Sequence, residues 1–133
     1  MAAVLADTHA ILWYLTADER ISRAATVAMD NATTAGDPIF VSAITMVEIQ
    51  YLVEKGRLSA DDQRIVVAAV DDVQNPARLV PVDRIVVDTL GQVNRDEVPD
   101  MPDRIIAATA LALGVQLLSR DRKIRASTVE TIW

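Results

Sequence analysis

The 133 residues fit one domain spanning 1–133, and 51% apolar with 24% charged residues suits a folded core rather than a disordered tail. Thirteen basic against nineteen acidic side chains leave a net charge of −6, which excludes coating of nucleic acid by bulk positive charge but leaves room for a local basic path or an acidic cation site. The absence of cysteine excludes disulfides, thiolate metal sites and a cysteine nucleophile, and a single histidine excludes a multi-histidine metal centre.

In chain order, the apolar run within 2–7 ends in Asp7 and predicts a first strand. Thr8 to Leu15 predicts a short helix, and Ser22 caps a second helix running through Met29. Asn31 to Pro38, with Gly36, Asp37 and Pro38, reads as a loop before a second strand at Ile39-Phe40-Val41. A third helix runs from Ala43 to Glu54 and stops near Gly56. A fourth opens at Ser59-Ala60-Asp61-Asp62 and ends before Asn75-Pro76. Arg78 to Val82 predicts the third strand and Asp83 to Val93 a fifth helix. Asn94 to Pro102, polar with two prolines, reads as a loop. Pro102 fits the first turn of a sixth helix and Gly114 its end. Val115 to Leu118 predicts a fourth strand, Asp121 to Arg125 a short turn or helix, and Thr128 to Trp133 a fifth strand.

Alternating strands and helices imply an α/β fold in three layers: a Rossmann-like parallel sheet of four to five strands flanked by helices on both faces. In such sheets ligands bind beyond the carboxyl ends of the strands. No apolar run reaches the ~18 residues that span a bilayer. The apolar start MAAVLADTHAILWYL lacks a basic opening and carries Asp7 and His9, so a cytoplasmic protein with no membrane partner is expected.

Acid placement is the informative signal. Asp7 ends the first strand, and Asp121 follows the fourth after Ser119-Arg120. Asp103 sits in the first turn of the sixth helix. Glu48 sits in the third helix between Ile44 and Leu52, on a side that also carries Val47 and Tyr51. All four positions can face one rim. Two unit charges about 4 Å apart repel by about 4 kcal/mol at an effective dielectric near 20, so gathered acids need a cation or raised pKa values. Oxygen-only ligands suit Mg²⁺ or Mn²⁺. Each acid also has a structural reading. Thr45-Met46-Val47-Glu48 matches a capping box, Asp100-Met101-Pro102-Asp103 matches an N-cap with a first-turn acid, and an Asp after a strand is common in turns. The segment Arg120-Asp121-Arg122-Lys123-Ile124-Arg125 carries a local charge of +3, with Arg122, Lys123 and Arg125 suited to a phosphate backbone, or is simply a solvated turn. Arg104, beside Asp103, is placed to steady a carboxylate or a phosphate. His9 reads as a rim histidine, and Trp13 and Tyr14 as packing residues or a partner surface.

LADTHAILWYL, VSAITMVEI, PDMPDRIIAATALALG and LLSRD, in this order over almost the whole chain, resemble the motifs of the PIN domain. The match is to its VapC-like branch, the ribonuclease toxins of bacterial and archaeal toxin–antitoxin pairs. Asp7, Glu48, Asp103 and Asp121 stand where the family carries its four acids, and Ser119 matches the small hydroxyl residue before the last. Met101-Pro102 departs from the Pro-Phe often found there. The resemblance implies a single PIN domain over 1–133 acting as a Mg²⁺- or Mn²⁺-dependent endoribonuclease. It makes Asp7 and Asp103 direct metal ligands, and Glu48 and Asp121 ligands directly or through water. Arg122, Lys123 and Arg125 would steer RNA. It further implies a VapB-like antitoxin and a homodimer, with the third and fourth helices as candidate surface. Two other readings compete. One is a PIN-fold binding module without activity. The other is a phosphoacceptor receiver domain using Asp83, which lacks the second acid beside Asp7 that such a domain needs.

Overall fold

A computed structural model describes residues 2–133. Five strands form one parallel sheet in the order β3-β2-β1-β4-β5. The elements run β1 (Val4–Ala6), α1 (Thr8–Leu15), α2 (Arg23–Ala35), β2 (Ile39–Ser42), α3 (Ala43–Glu54), α4 (Ala60–Asp71), β3 (Ala77–Val80), α5 (Arg84–Thr89), a 3-10 turn (Leu90–Gln92), α6 (Met101–Leu113), β4 (Gln116–Leu118), α7 (Arg122–Arg125) and β5 (Thr131–Ile132). The three-layer α/β arrangement anticipated from the alternating pattern is the one observed.

The layers follow from strand periodicity. Successive side chains of a strand point to opposite faces. Leu5 and Leu117 therefore join one core, with Ile105, Ile106, Ala108 and Ala110 of α6 and Ile124 of α7. Val4, Ala6 and Leu118 join the other, with Ala10 and Ile11 of α1 and Met29 and Ala32 of α2. The central strands are buried on both faces, which is why they read as continuous apolar runs. Leu12, Trp13, Ile49 and Val66 bind α1, α3 and α4 into a third cluster.

Three boundaries differ from the sequence-based expectation. Helix α2 continues through Asn31 to Ala35, six residues past Met29, and stops at Gly36 in the left-handed region (φ 74°). The polar stretch stays helical because Ala32 is fully buried and the Thr33 hydroxyl donates back to the Met29 carbonyl at 3.0 Å. The fifth helix ends at Thr89 and tightens into the 3-10 turn. The fifth strand shrinks to Thr131–Ile132. The capping box at Thr45–Glu48 is not formed either. Ser42 caps α3, its Oγ accepting from the Ile44 amide at 3.2 Å, and both Thr45 and Glu48 turn toward α1 instead. Among the described residues no helix is long and apolar enough to cross a membrane.

Candidate active site

The strand order reverses direction between β1 and β4, the two strands whose carboxyl ends deliver Asp7 and Ser119-Arg120-Asp121. A reversal of this kind opens a crevice beyond the strand ends. The Asp7 amide donates to the Leu118 carbonyl at 3.1 Å, one further ladder step that fixes the two loops together. A cavity of about 400 Å³ lies there, lined by Asp7, Thr8, His9, Glu48, Asp100, Asp103, Arg120 and Asp121. All four acids singled out from the sequence thus line one cavity.

Each acid is placed by a local device. Asp7 caps α1, its Oδ1 accepting from the Ala10 amide at 2.9 Å. Asp121 caps α7, with Oδ1 accepting from the Lys123 and Ile124 amides at 2.9 and 3.0 Å. Its own amide donates to Oγ of the fully buried Ser119 at 3.1 Å. Asp100 caps α6 by accepting from the Asp103 amide at 3.2 Å, which sets Asp103 in the first turn. Capping and lining the cavity are therefore compatible for these residues. Glu48 is oriented from another element: the Thr8 hydroxyl donates to its Oε1 at 2.7 Å and lies 3.1 Å from the Thr45 hydroxyl. Thr8 and Thr45 are buried, so this pair of hydroxyls is a tertiary clasp between α1 and α3.

The cluster is electrostatically strained. Burial raises the Asp7 carboxyl above its ordinary value, opposed by the Ser119 hydroxyl, the Ala10 amide and the His9 charge, and reinforced by the Asp121 charge. Burial also raises Glu48. The Thr8 hydrogen bond opposes that rise, and the Asp100 and Asp7 charges add to it. Asp103 is pushed up to about 7, first by burial and then by the charges of Asp100, Asp121, Glu48 and Asp7. Removing charge from water without a partner is costly, and a bound cation is one relief.

The donors are carboxylate and hydroxyl oxygens with one exposed imidazole, His9, which stacks on Trp13 at 5.2 Å between ring centroids. That set fits a hard divalent cation. Among the described residues no three of these side chains already close on a single metal position. The lining is an open ring, and its volume leaves room for an ion that keeps water ligands and a substrate phosphate, the usual manner of Mg²⁺.

Of the basic residues, Arg104 falls differently from expectation. Arg104 turns away from the acids: its Nε donates to the Val93 carbonyl at 3.1 Å and a terminal nitrogen to the Leu90 carbonyl at 2.9 Å, so it clasps the 3-10 turn. Arg122, Lys123 and Arg125 are exposed on α7 outside the cavity lining. Arg120, Thr8 and Asp100 do line it. Of these, Asp100 reads from the sequence as a helix cap and Arg120 as one member of the basic segment, while Thr8 is missed. The signal for Thr8 was its place directly after a strand-end acid. The signal for Arg120 was its place in the basic segment, which does not say that it alone of those cations lines the cavity.

A second cavity of about 360 Å³ shares Thr8, His9 and Glu48 with the first and is otherwise lined mainly by Ile44, Val47, Tyr51, Leu52, Met101 and Pro102. Val47, Tyr51 and Met101 are 49%, 59% and 65% exposed, so the side of α3 bearing Glu48 is an open apolar groove rather than core.

Residues 4–128 match the PIN domain family model. The chain is 30% identical over 125 residues to Ribonuclease VapC22 of Mycobacterium tuberculosis, covering 94% of this chain and 92% of that protein. Its fold is similar to a chain of VapBC2 from Rickettsia felis bound to a promoter DNA fragment, with TM-score 0.71, 14% identity and coverage of 97% and 96%. It is also similar to a chain of DNA-bound VapBC from Salmonella typhimurium, with TM-score 0.67, 17% identity and coverage of 98% and 97%.

Proposed function

This chain belongs to the PIN-domain family, and from that premise we propose that it is a VapC-like toxin, a divalent-metal-dependent endoribonuclease neutralised by a VapB-like antitoxin. The observation that carries the reading is the convergence of Asp7, Glu48, Asp103 and Asp121 on one cavity at the strand-order reversal. The relative at 30% identity is itself a ribonuclease. Two similar folds occur in VapBC complexes.

Asp7 and Asp103 would hold Mg²⁺ or Mn²⁺ directly, with Glu48 and Asp121 contributing directly or through water. A divalent ion there supplies positive charge that neutralises the phosphodiester and makes water more acidic. The chain's own residues do the rest. Helix caps hold Asp7, Asp103 and Asp121 on rigid element ends, so little reorganisation is needed. Thr8 fixes the Glu48 oxygen that orients the attacking water. The water oxygen would add to phosphorus as the opposite P–O bond breaks, the water's proton passing to a site carboxylate and the leaving oxygen taking a proton from solvent.

The apolar groove along α3 opens onto the acid cavity. An antitoxin segment with an apolar face would lie in it and reach the acids, which closes the site to RNA. Homodimerisation would use the remaining exposed apolar side chains of α4, Ile65 and Val67. Cytoplasmic residence follows from an RNA substrate.

The phosphoacceptor alternative loses ground on topology. Receiver-type sheets run 2-1-3-4-5, whereas this sheet runs 3-2-1-4-5. Asp83 caps α5, its Oδ1 accepting from the Val86 amide at 3.1 Å, and is not in the cavity lining. The deciding experiment is cleavage of total RNA by purified protein in millimolar Mg²⁺, with 5′-end sequencing. Wild type cuts at defined sites. Asp7→Asn and Asp103→Asn, folded by circular dichroism, lose at least about 100-fold in rate, the scale of removing one electrostatic group from a preorganised site. Unchanged cleavage in both variants would remove the mechanism, and binding of an antitoxin with no cleavage of any RNA would favour the inactive module.

A further inference from the structure

Arg120 is the one guanidinium or ammonium group in the cavity lining, among five carboxylates. A cation in that position is expected to pair with one of them. It does not: the ion pairs among the described residues are Arg20–Asp18, Arg64–Asp61 and Arg84–Asp88. The Arg120 guanidinium carbon stands over the Trp13 ring, 4.6 Å from its centroid. Trp13 is buried and is backed by Trp133, with 5.9 Å between ring centroids. The π face attracts the cation and holds it at the mouth of the cavity, while its fork of N–H donors stays unspent. Arg20, whose guanidinium carbon is also over Trp13 at 4.9 Å, is the internal contrast. Its Nε and terminal nitrogen both donate to Asp18, at 3.0 and 2.8 Å, so its donors are consumed.

We infer that Arg120, parked on Trp13 and free of the carboxylates, binds a phosphate of the RNA backbone as it enters the acid cavity. The inference rests on the ribonuclease reading and adds to it the side chain that receives the substrate. A guanidinium fork matches two phosphate oxygens. Parking on the ring also keeps the positive charge from occupying the carboxylates that the cation needs. The helix α7 cations, outside the lining, then act at longer range.

The test has a cleavage arm and a binding arm. On a short fluorescent RNA in Mg²⁺, Arg120→Gln lowers kcat/KM by 10- to 100-fold with an unchanged melting temperature, and Arg120→Lys falls between it and wild type. Arg120→Gly regains part of the lost rate when guanidinium ion is added, and the exposed control Arg64→Gln neither loses nor gains. In the binding arm, anisotropy of the same RNA is measured on Asp7→Asn with and without Arg120→Gln. Loss of one single-strand phosphate contact lowers the slope of log Kd against log salt by about 0.7. Cleavage within twofold of wild type with an unchanged slope overturns the inference. Lost cleavage with an unchanged slope and no guanidinium rescue also overturns it, because the role is then structural. A wild-type protein that cuts no RNA removes the nuclease reading instead, and the binding slope still decides for or against Arg120.

Discussion

The Asp103 carboxyl concentrates the physics of this site. Its pKa near 7 in the folded chain compares with about 3.9 for an unfolded aspartate. Between these values the unfolded chain releases a proton that the folded chain keeps. The contribution to stability is therefore fully present below about 3.9 and is lost as pH rises through about 7. Moving a carboxyl from about 3.9 to about 7 corresponds to about 4 kcal/mol; for a partly exposed group, solvent screening reduces this to about 1–2 kcal/mol. In chelator, the wild-type melting temperature should fall between about pH 4 and 7, and Asp103→Asn should flatten that fall and melt higher at pH 8. A wild-type profile no steeper than that of the variant would show that the acids do not repel as argued. Thr8 gives a second prediction. Thr8→Val removes the donor to Glu48 and leaves the buried Thr45 hydroxyl without its neighbour. A loss of about 1–2 kcal/mol in urea unfolding is expected, with cleavage reduced more than affinity for RNA, since Glu48 is mispositioned while the phosphate contacts remain. At this scale Asp7, Glu48 and Asp121 were legible because each follows a strand or sits on a helix that follows one, and Asp103 because it opens the helix that leads into β4, so topology aims all four at one edge. The directions in which Arg104 and Arg120 face were not legible. Each is next to a site aspartate in sequence, and only tertiary partners, two carbonyls of a 3-10 turn for one and an indole for the other, decide which faces the cavity.

Helix ends in this protein double as site builders, and that explains which elements the chain announces. Asp100 reads correctly as a helix cap, whereas Asp7, read as the end of a strand, and Asp121, read as opening a turn or helix, also prove to be caps, because a carboxylate accepts first-turn amides whatever lies beyond it. The Thr45–Glu48 capping box failed for the opposite reason. Ser42 one turn earlier already holds the cap, and burial against α1 pulled both side chains into a tertiary contact. The extension of α2 through Asn31-Ala32-Thr33-Thr34 was equally hidden, since its composition suits a loop while the buried Ala32 keeps it helical. The α6 terminus supplies a check on elements apart from chemistry. Gly114 ends the helix at φ 68°, with open space around the position a Cβ would take. Gly114→Ala should then cost about 1–2 kcal/mol through backbone strain alone, read by urea unfolding. RNA cleavage below the unfolding transition should stay at the wild-type rate, because α6 presents its opposite end to the site. A loss of cleavage without a loss of stability would show that the two ends of α6 are coupled.

Across the whole molecule, a net charge of −6 and the proposed anionic substrate are at odds unless something positive mediates. The fold concentrates that mismatch at one place: two core layers position the sheet, the strand-order reversal opens the crevice, and acids from α1, α3, α6 and the β4 exit surround it. The fold class was readable from the alternation of apolar strands and helices, but the strand order was not, because no local pattern states which strand lies beside β1. That order matters, since β4 beside β1 brings Asp121 to Asp7. An ion that binds only where these acids meet must stabilise the folded chain by mass action, by about 2.7 kcal/mol at a hundred times its dissociation constant. For a domain of this size the melting temperature should then rise by roughly 10 °C. Asp7→Asn removes both a ligand and a repelling charge, so its baseline should rise in chelator while its response to Mg²⁺ shrinks. Differential scanning fluorimetry of both proteins across a Mg²⁺ titration, at constant ionic strength, separates these effects. Equal shifts in wild type and Asp7→Asn would place the cation elsewhere on this acidic surface and detach the site from the metal.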